Sequence, residues 1–359
     1  VSMLNVLGTL YTYDAGDRDI TDQATVTINN DDSTDITIAD VSGVEDGSDI
    51  TVTVNSSNAV QGGFALYVDL TDGTATVADS DYTGPSSMTL TFTGTADQNI
   101  TFTVNPGNDT KVERDEILTV SVTGIMGNSF TLQSVDSDIT DQGTVTIIND
   151  DVTVLTIADF SGLENDGPYS MTVTSSNEVD GGFKVSVNKT NGTATISDSD
   201  FGSSPDLLIF TGGVGETQNF TIAPTGDNKV ERDETMNLSL STFVGSTYTF
   251  DTNDRNITDV AVFTILNDDL TTLTIADVDG DENGGPITVT VNSTNAVDGG
   301  FSVNVSTADL LAKISDGDYS AVTGQQLNFT GSTNEDITFE VTPIDDGKVE
   351  TDETLRVSM

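Results

Sequence analysis

The chain has no cysteine, histidine or tryptophan, and only 11 Lys plus Arg against 59 Asp plus Glu in 359 residues. Each absence closes a class of chemistry. Without thiol or imidazole there can be no Ser-His-Asp or Cys-His nucleophile, no zinc finger or His-x-x-x-His zinc site, and no disulfide framework. A formal charge of −48 repels phosphate, because nucleic-acid and anionic-lipid binding need clustered Lys and Arg. No nucleic-acid partner is expected, and cations are the natural partners. Apolar residues come in short runs, none near the roughly 18 residues that span a bilayer, so no direct membrane insertion is expected. A disulfide-free, acidic, Thr- and Asp-rich composition suits an extracellular, cell-surface setting in which metal replaces the disulfide as staple.

What is present is repetition. Thr-Ile-Ala-Asp ends at Asp40, Asp159 and Asp277, and Gly-Gly-Phe ends at Phe64, Phe183 and Phe301, both stepping by 119 and then 118 residues. Asn-Asp-Asp begins at Asn30, Asn149 and Asn267, and Lys-Val-Glu-x-Asp-Glu at Lys111, Lys229 and Lys348. A period this long is domain-sized, so the repeats are tandem modules with separate cores rather than turns of a solenoid. Within each period apolar residues alternate with Thr and Ser, as at Ile50, Val52 and Val54 or Val145 and Ile147. Period two means strands with one buried face, and turn clusters such as Gly62-Gly63 and Pro106-Gly107-Asn108-Asp109 separate them. No segment carries a helical apolar face of useful length. The expected fold is all-β: tandem immunoglobulin-like antiparallel β-sandwich modules of about 119 residues with almost no helix.

The landmarks divide the chain into 33–151, 152–269 and 270–359, with 1–32 reading as the C-terminal strands of a preceding module and the last module lacking its final strand and its Asn-Asp-Asp. No Gly/Ser or Pro tract separates the modules, so a stiff string is expected, its partners being neighbouring modules of the same chain. A segment of a longer array is the plain reading. The alternative is polymerisation with other copies in a filament, a closing strand from one chain completing the open module of the next.

A subset of acids recurs in register. Glu45, Glu164 and Glu282 stand near module starts, and Asp81, Asp200 and Asp318 precede an aromatic residue. Asp109, Asp227 and Asp346, the last preceded by Asp345, come before Lys-Val-Glu; Glu113 with Glu116, Glu231 with Glu234 and Glu350 with Glu353 follow. Asp150-Asp151 and Asp268-Asp269 close two modules. Loops at one pole of a sandwich can bring these together. Two carboxylates about 4 Å apart repel by roughly 4 kcal/mol at an effective dielectric near 20, large against the ~5–15 kcal/mol that holds a domain folded. A divalent cation relieves the repulsion, and an all-oxygen set without His or Cys favours Ca²⁺ over transition metals. Ion pairing of Glu116, Glu234 and Glu353 with Arg114, Arg232 or Lys348 is the competing use of these groups. The phenylalanines after Gly-Gly are read as core.

Val44-Glu45-Asp46-Gly47, Ser80-Asp81-Tyr82, Lys111-Val112-Glu113-Arg114-Asp115-Glu116 and Ile147-Ile148-Asn149-Asp150-Asp151 together resemble the Calx-β domain of sodium–calcium exchangers and bacterial surface proteins, in three registered copies covering nearly the whole chain. The resemblance implies an immunoglobulin-like sandwich with Ca²⁺ at one pole, near the junction with the following domain. By position its ligands would be Glu45, Asp81, Asp109, the Lys111 carbonyl, Glu113, Glu116, Asp150 and Asp151. The second module would use Glu164, Asp200, Asp227, Glu231, Glu234, Asp268 and Asp269, and the third keeps Glu282, Asp318, Asp345, Asp346, Glu350 and Glu353. Asn108, Thr110 and Lys111, like Gly226, Asn228 and Lys229, stand where calcium-rich relatives carry consecutive Asp. One or two Ca²⁺ per module, held at roughly 10⁻⁴–10⁻³ M, are therefore expected. A calcium-stiffened stalk or spacer of a large bacterial cell-surface adhesin or filament is the leading function. A calcium-responsive module that itself contacts a glycan or protein is the alternative. Three near-copies of a small sandwich offer no unique cleft for paired-carboxylate catalysis, so no enzyme is expected.

Overall fold

A computed structural model describes residues 22–127, 137–247 and 249–359. The chain forms two compact units: the chain up to Asp109 with Asp115–Asp150, and Thr110–Arg114 with Asp151–Met359. Residues 1–21, where most of the expected leading strands fall, lie outside the described residues. Residues 24–33 form no strand, and Val26 and Ile28 are exposed there.

The alternation read from the sequence is the alternation of burial. Thr34–Ile38 and Thr153–Ile157 bury every second residue, and Ile50–Ser56 and Gln142–Ile148 follow the same rhythm. In the first unit one sheet orders Tyr82–Thr83, Gln98–Pro106, Ile50–Ser56, Thr34–Ile38 and Ser137–Asp138; the other orders Val41–Val44, Gln142–Ile148, Glu116–Gly127, Phe64–Asp72 and Ser87–Phe92. The second unit repeats this plan. Thr217–Ile222, Tyr169–Ser175, Thr153–Ile157 and Arg255–Asn256 form one sheet, and Phe160–Leu163, Val260–Leu266, Glu234–Gly245, Phe183–Asn191 and Asp206–Phe210 the other. Its last module is thinner, with two three-stranded sheets: Leu273–Ile275, Ile287–Ser293 and Glu335–Val341, then Gln325–Phe329, Phe301–Asp309 and Leu355–Ser358. Among the described residues the only helical element is a 3₁₀ turn at Ile314–Asp316.

Most neighbouring strands pair antiparallel, as expected, and a few short edge segments run parallel to the closing part of their module. After Ile157 the chain crosses to the opposite sheet, where Phe160–Leu163 runs parallel to Val260–Leu266; Val41–Val44 does the same with Gln142–Ile148. Two aspartates staple each crossing. Asp159 accepts the Val262 N–H at 2.8 Å while Asp259 accepts that of Ile157 at 2.8 Å. Asp40 and Asp141 take Thr144 and Ile38 N–H at 2.7 Å in the same way. The recurrent Asp of Thr-Ile-Ala-Asp is thus a backbone acceptor at the point where a strand leaves its sheet.

Each core is built around the aromatic after Gly-Gly. Phe64 stacks on Phe92 with centroids 4.7 Å apart, Phe183 on Phe210 at 4.6 Å, and Phe301 on Phe329 at 4.7 Å. The glycines are required by geometry. Gly182 has φ +68°, and a Cβ there would lie 2.5 Å from the Phe210 carbonyl oxygen, too close for any side chain.

Candidate metal centre

Strand register decides which acids meet. Leu163 pairs with Leu266 in the parallel ladder and Glu234 with Ile265 in the antiparallel one. The residues just beyond, Glu164 on one side and Asn267-Asp268-Asp269 on the other, therefore leave the sheet at the same end as the start of the Glu234 strand. The Glu164 N–H closes the corner on the Leu266 carbonyl at 3.1 Å. Asp200 arrives from the facing edge. Its Oδ2 accepts the Thr195 N–H at 2.6 Å, and its carbonyl accepts the Thr225 N–H at 2.9 Å, bringing in the loop that carries Asp227.

The result is two acid groups in the second module. Glu164, Asp227 and Asp269 each place a carboxylate oxygen within 4.8 Å of the others, as do Asp200, Glu231 and Glu234. Glu164, Asp200, Thr225, Glu231, Arg232, Glu234, Ile265 and Asn267 line one cleft, so the groups are neighbours. Glu164 is only 7% exposed. Its Oε1 and Asp269 Oδ2 are buried without a hydrogen-bond donor. In the third module Asp318, Glu350 and Glu353 form a similar group. Asp318 is held by the Lys313 N–H at 2.7 Å.

Not every predicted residue converges. Asp268 sits beside the second module's groups and accepts Asn165 Nδ2–H at 2.8 Å. Glu282 and Asp345 are exposed and join no group among the described residues, and Asp346 is engaged by Lys348. The physical reason for Glu282 is plain: the third module has no parallel strand pair to carry it to the pole. In the first unit Glu45 is 8% exposed and its N–H bonds Ile148 O at 3.1 Å; Asp81 takes the Thr76 N–H at 2.6 Å; Glu116 pairs with Ile147. Asp109 and Asp150 belong to that unit too, whereas Lys111, Glu113 and Asp151 belong to the second.

The lysines pair differently from the arrangement weighed above. Lys111 pairs with Glu113, Lys229 with Glu231, and Lys348 with Asp346 and Glu350. Among the described residues no ion pair joins Glu234 to Arg232. Sequence reasoning also passed over Asp115 and Asp233, inside the Lys-Val-Glu-x-Asp-Glu motif. They accept the N–H groups of Asn149 and Asn267, both at 3.1 Å, and so tie this loop to the closing corner. Asn267 in turn accepts the Glu231 N–H at 2.9 Å. The recurrence of Asp and Asn at these positions was the only available signal.

Crowding shows in the protonation of the group. Burial, then Asp269, Asp227 and Asp268, raise the Glu164 carboxyl to about 7; burial, then Asp200 and Glu231, raise Glu234 to about 7. Burial and Asp318 push Glu353 upward as well. Unfolded glutamates titrate near 4.5, so between about pH 4.5 and 7 the folded, ion-free protein binds protons that the unfolded chain has lost. The stability these protons supply is complete below the lower limit and gone above the upper one. Urea midpoints measured in chelator are expected to fall as pH rises from 5 to 7.5.

The sequence profile of the Calx-beta domain matches residues 19–151, 149–269 and 267–359. The chain belongs to the Calx-beta family. Solved structures similar to it include the two-domain CBD12 of CALX1.2, 16% identical over 64% of this chain and 99% of that one, with a TM-score of 0.29. Another is a tetra-tandem repeat from the extending region of a large adhesion protein, 11% identical over 87% of this chain and 66% of that one, with a TM-score of 0.36. No curated protein sequence matches. The Calx-beta modules of this chain are thus tandem all-β sandwiches with acidic clusters at recurrent positions, and among the described residues no helix is long and apolar enough to cross a membrane.

Proposed function

We propose that these Calx-beta modules bind Ca²⁺ and act as a stiffened structural stalk within a large extracellular surface protein of the adhesin or filament kind. The observation that carries the reading is that Glu164 and Asp269, each with a buried carboxylate oxygen that has no hydrogen-bond partner, form one group with Asp227. An all-oxygen set of this charge fits a hard divalent ion, and carboxylates drawn from several loops suit the flexible 6–8-ligand sphere of Ca²⁺ better than the strict octahedron of Mg²⁺. Glu164, Asp227 and Asp269, with Asp268 at the margin, would hold one ion; Asp200, Glu231 and Glu234 would hold a second. Asp318, Glu350 and Glu353 are the third module's set. Within the first unit Glu45 and Asp109 occupy the register of Glu164 and Asp227, and Asp81 and Glu116 that of Asp200 and Glu234. A bound ion would supply the positive charge that lets these loops stay together. Direct joining of the modules favours a spacer, since Thr153–Ile157 begins two residues after Asp151 and strand Leu273–Ile275 six after Asn267.

Isothermal calorimetry of the chelator-stripped chain titrated with Ca²⁺ tests this. Saturable binding at about 10⁻⁴–10⁻³ M or tighter, greatly reduced in stoichiometry by Asp227→Asn with Asp269→Asn, is the expected outcome. Absence of calcium-dependent heat at all temperatures would falsify the metal reading while leaving the sandwich untouched.

A further inference from the structure

The second module has an edge strand unlike its counterparts. Asp206–Phe210 ends its sheet and, among the described residues, pairs only with Phe183–Asn191, in a ladder without a bulge. Leu208 and Phe210 are buried in the core, while Leu207 and Ile209 point outward, 58% and 54% exposed. Ile209 stands opposite Lys184, and Lys184 opposite Val244, itself 53% exposed. The outer face at this edge is therefore an apolar strip crossed by one lysine stem. The same register positions are polar elsewhere: Thr89 and Thr91 on Ser87–Phe92 in the first unit, and Gln326 and Asn328 on Gln325–Phe329 in the third module.

Every second N–H and C=O of an edge strand points away from its sheet, and edges are commonly blunted by lysine, proline or a bulge. Asp206–Phe210 contains none of these. Its one charge, Asp206, lies in phase with Leu208 and Phe210 and meets Lys189 Nζ at 2.8 Å. No further acid follows until Glu216. On a chain of net charge −48, whose copies repel one another, this edge is neutral ground with the exposed Lys184 beside it. That charge pattern selects the occupant. The same strand of another copy brings no repulsion, and two-fold pairing joins both hydrogen-bonding rows and both apolar strips at once.

We propose that Asp206–Phe210 is a self-association edge, pairing antiparallel with the same strand of a second copy of this chain about a two-fold axis at Leu208. Leu207 of each copy then stands opposite Ile209 of the other, and the two sheets become continuous. The proposal goes beyond the cation reading and does not rest on it, because none of the clustered acids takes part in the contact.

Sedimentation equilibrium of the full chain tests the proposal, in chelator and at about 0.15 M salt, where repulsion between copies is screened beyond about 8 Å. The wild-type weight-average mass is expected to rise from 37.6 kDa toward twice that value as the concentration approaches about 1 mM, the range in which a weak contact is read. Leu207→Thr with Ile209→Thr copies the edge of the first unit. Both side chains lie half in water and Thr suits a strand, so the thermal melt stays close to that of the wild type while association weakens about tenfold or more. Leu207→Cys with Ile209→Cys, in a chain with no other cysteine, is expected to yield a disulfide-linked dimer in oxidised glutathione, because directly opposed residues of an antiparallel pair lie within disulfide reach. A wild type that stays monomeric throughout, a double-Thr variant that associates as strongly as the wild type, or a double-Cys variant that forms no linked dimer overturns the proposal. Each of these results leaves calcium binding by the acidic groups unaffected.

Discussion

Adding 10 mM Ca²⁺ to the chelator-stripped chain is expected to raise the melting midpoint of the second module by on the order of 10 °C. An ion present at a hundredfold excess over its dissociation constant stabilises the folded state by about 2.7 kcal/mol. For a domain of this size each kcal/mol moves the midpoint by roughly 3–6 °C. Glu164→Gln separates this from a generic salt effect, because its consequences differ in sign. In chelator it removes a buried charge that faces Asp269, Asp227 and Asp268, so at pH 7.5 the variant melts at or above the wild type. In calcium it has lost an ionic ligand, and most of the shift disappears. Equal gains for wild type and variant, or equal gains with K⁺ at matched ionic strength, would remove the acidic group from the explanation.

Phe183→Ala is expected to destabilise the second module by about 3–5 kcal/mol, enough to consume much of the ~5–15 kcal/mol available to a domain. Phe183 is fully buried, stacked on Phe210 with centroids 4.6 Å apart and on Phe243 at 4.4 Å. Truncation leaves a void between two rings that cannot collapse, because Gly182 holds the turn against the Phe210 carbonyl. Urea denaturation followed by circular dichroism measures the loss. Phe183→Leu, which keeps most of the volume, should cost far less. A Phe183→Ala midpoint indistinguishable from wild type would mean that the stack carries no appreciable packing energy.

The residues announce much of this arrangement. Alternation at Ile50, Val52 and Val54 or at Thr153–Ile157 exposes the sandwich because each strand has one wet face. The period exposes the candidate ligands because Glu231, Glu234 and Asp200 recur in fixed phase. Two things were hidden. The crossing at Asp159 looks like a continuing or broken strand in a one-dimensional pattern, since nothing in residue type says which sheet a segment joins. Its parallel partner, Val260–Leu266, lies about a hundred residues away. For the same reason Glu282 seemed equivalent to Glu164: both occupy the same phase, but only Glu164 is carried to the pole by a closing strand. Asp40, Asp159, Asp115 and Asp233 were indistinguishable from ligands or solvated acids until backbone N–H groups were seen on them.

The parallel pairing of a module's opening segment with its final strand has a mechanical meaning. Phe160–Leu163 and Val260–Leu266 point the same way, so tension applied to the two ends of the module drags them past one another lengthwise. Their hydrogen bonds are then loaded together, in shear, instead of being peeled open one at a time. A module wired in this manner is expected to resist extension until that short ladder gives way as a whole, where a peeled pair would open bond by bond.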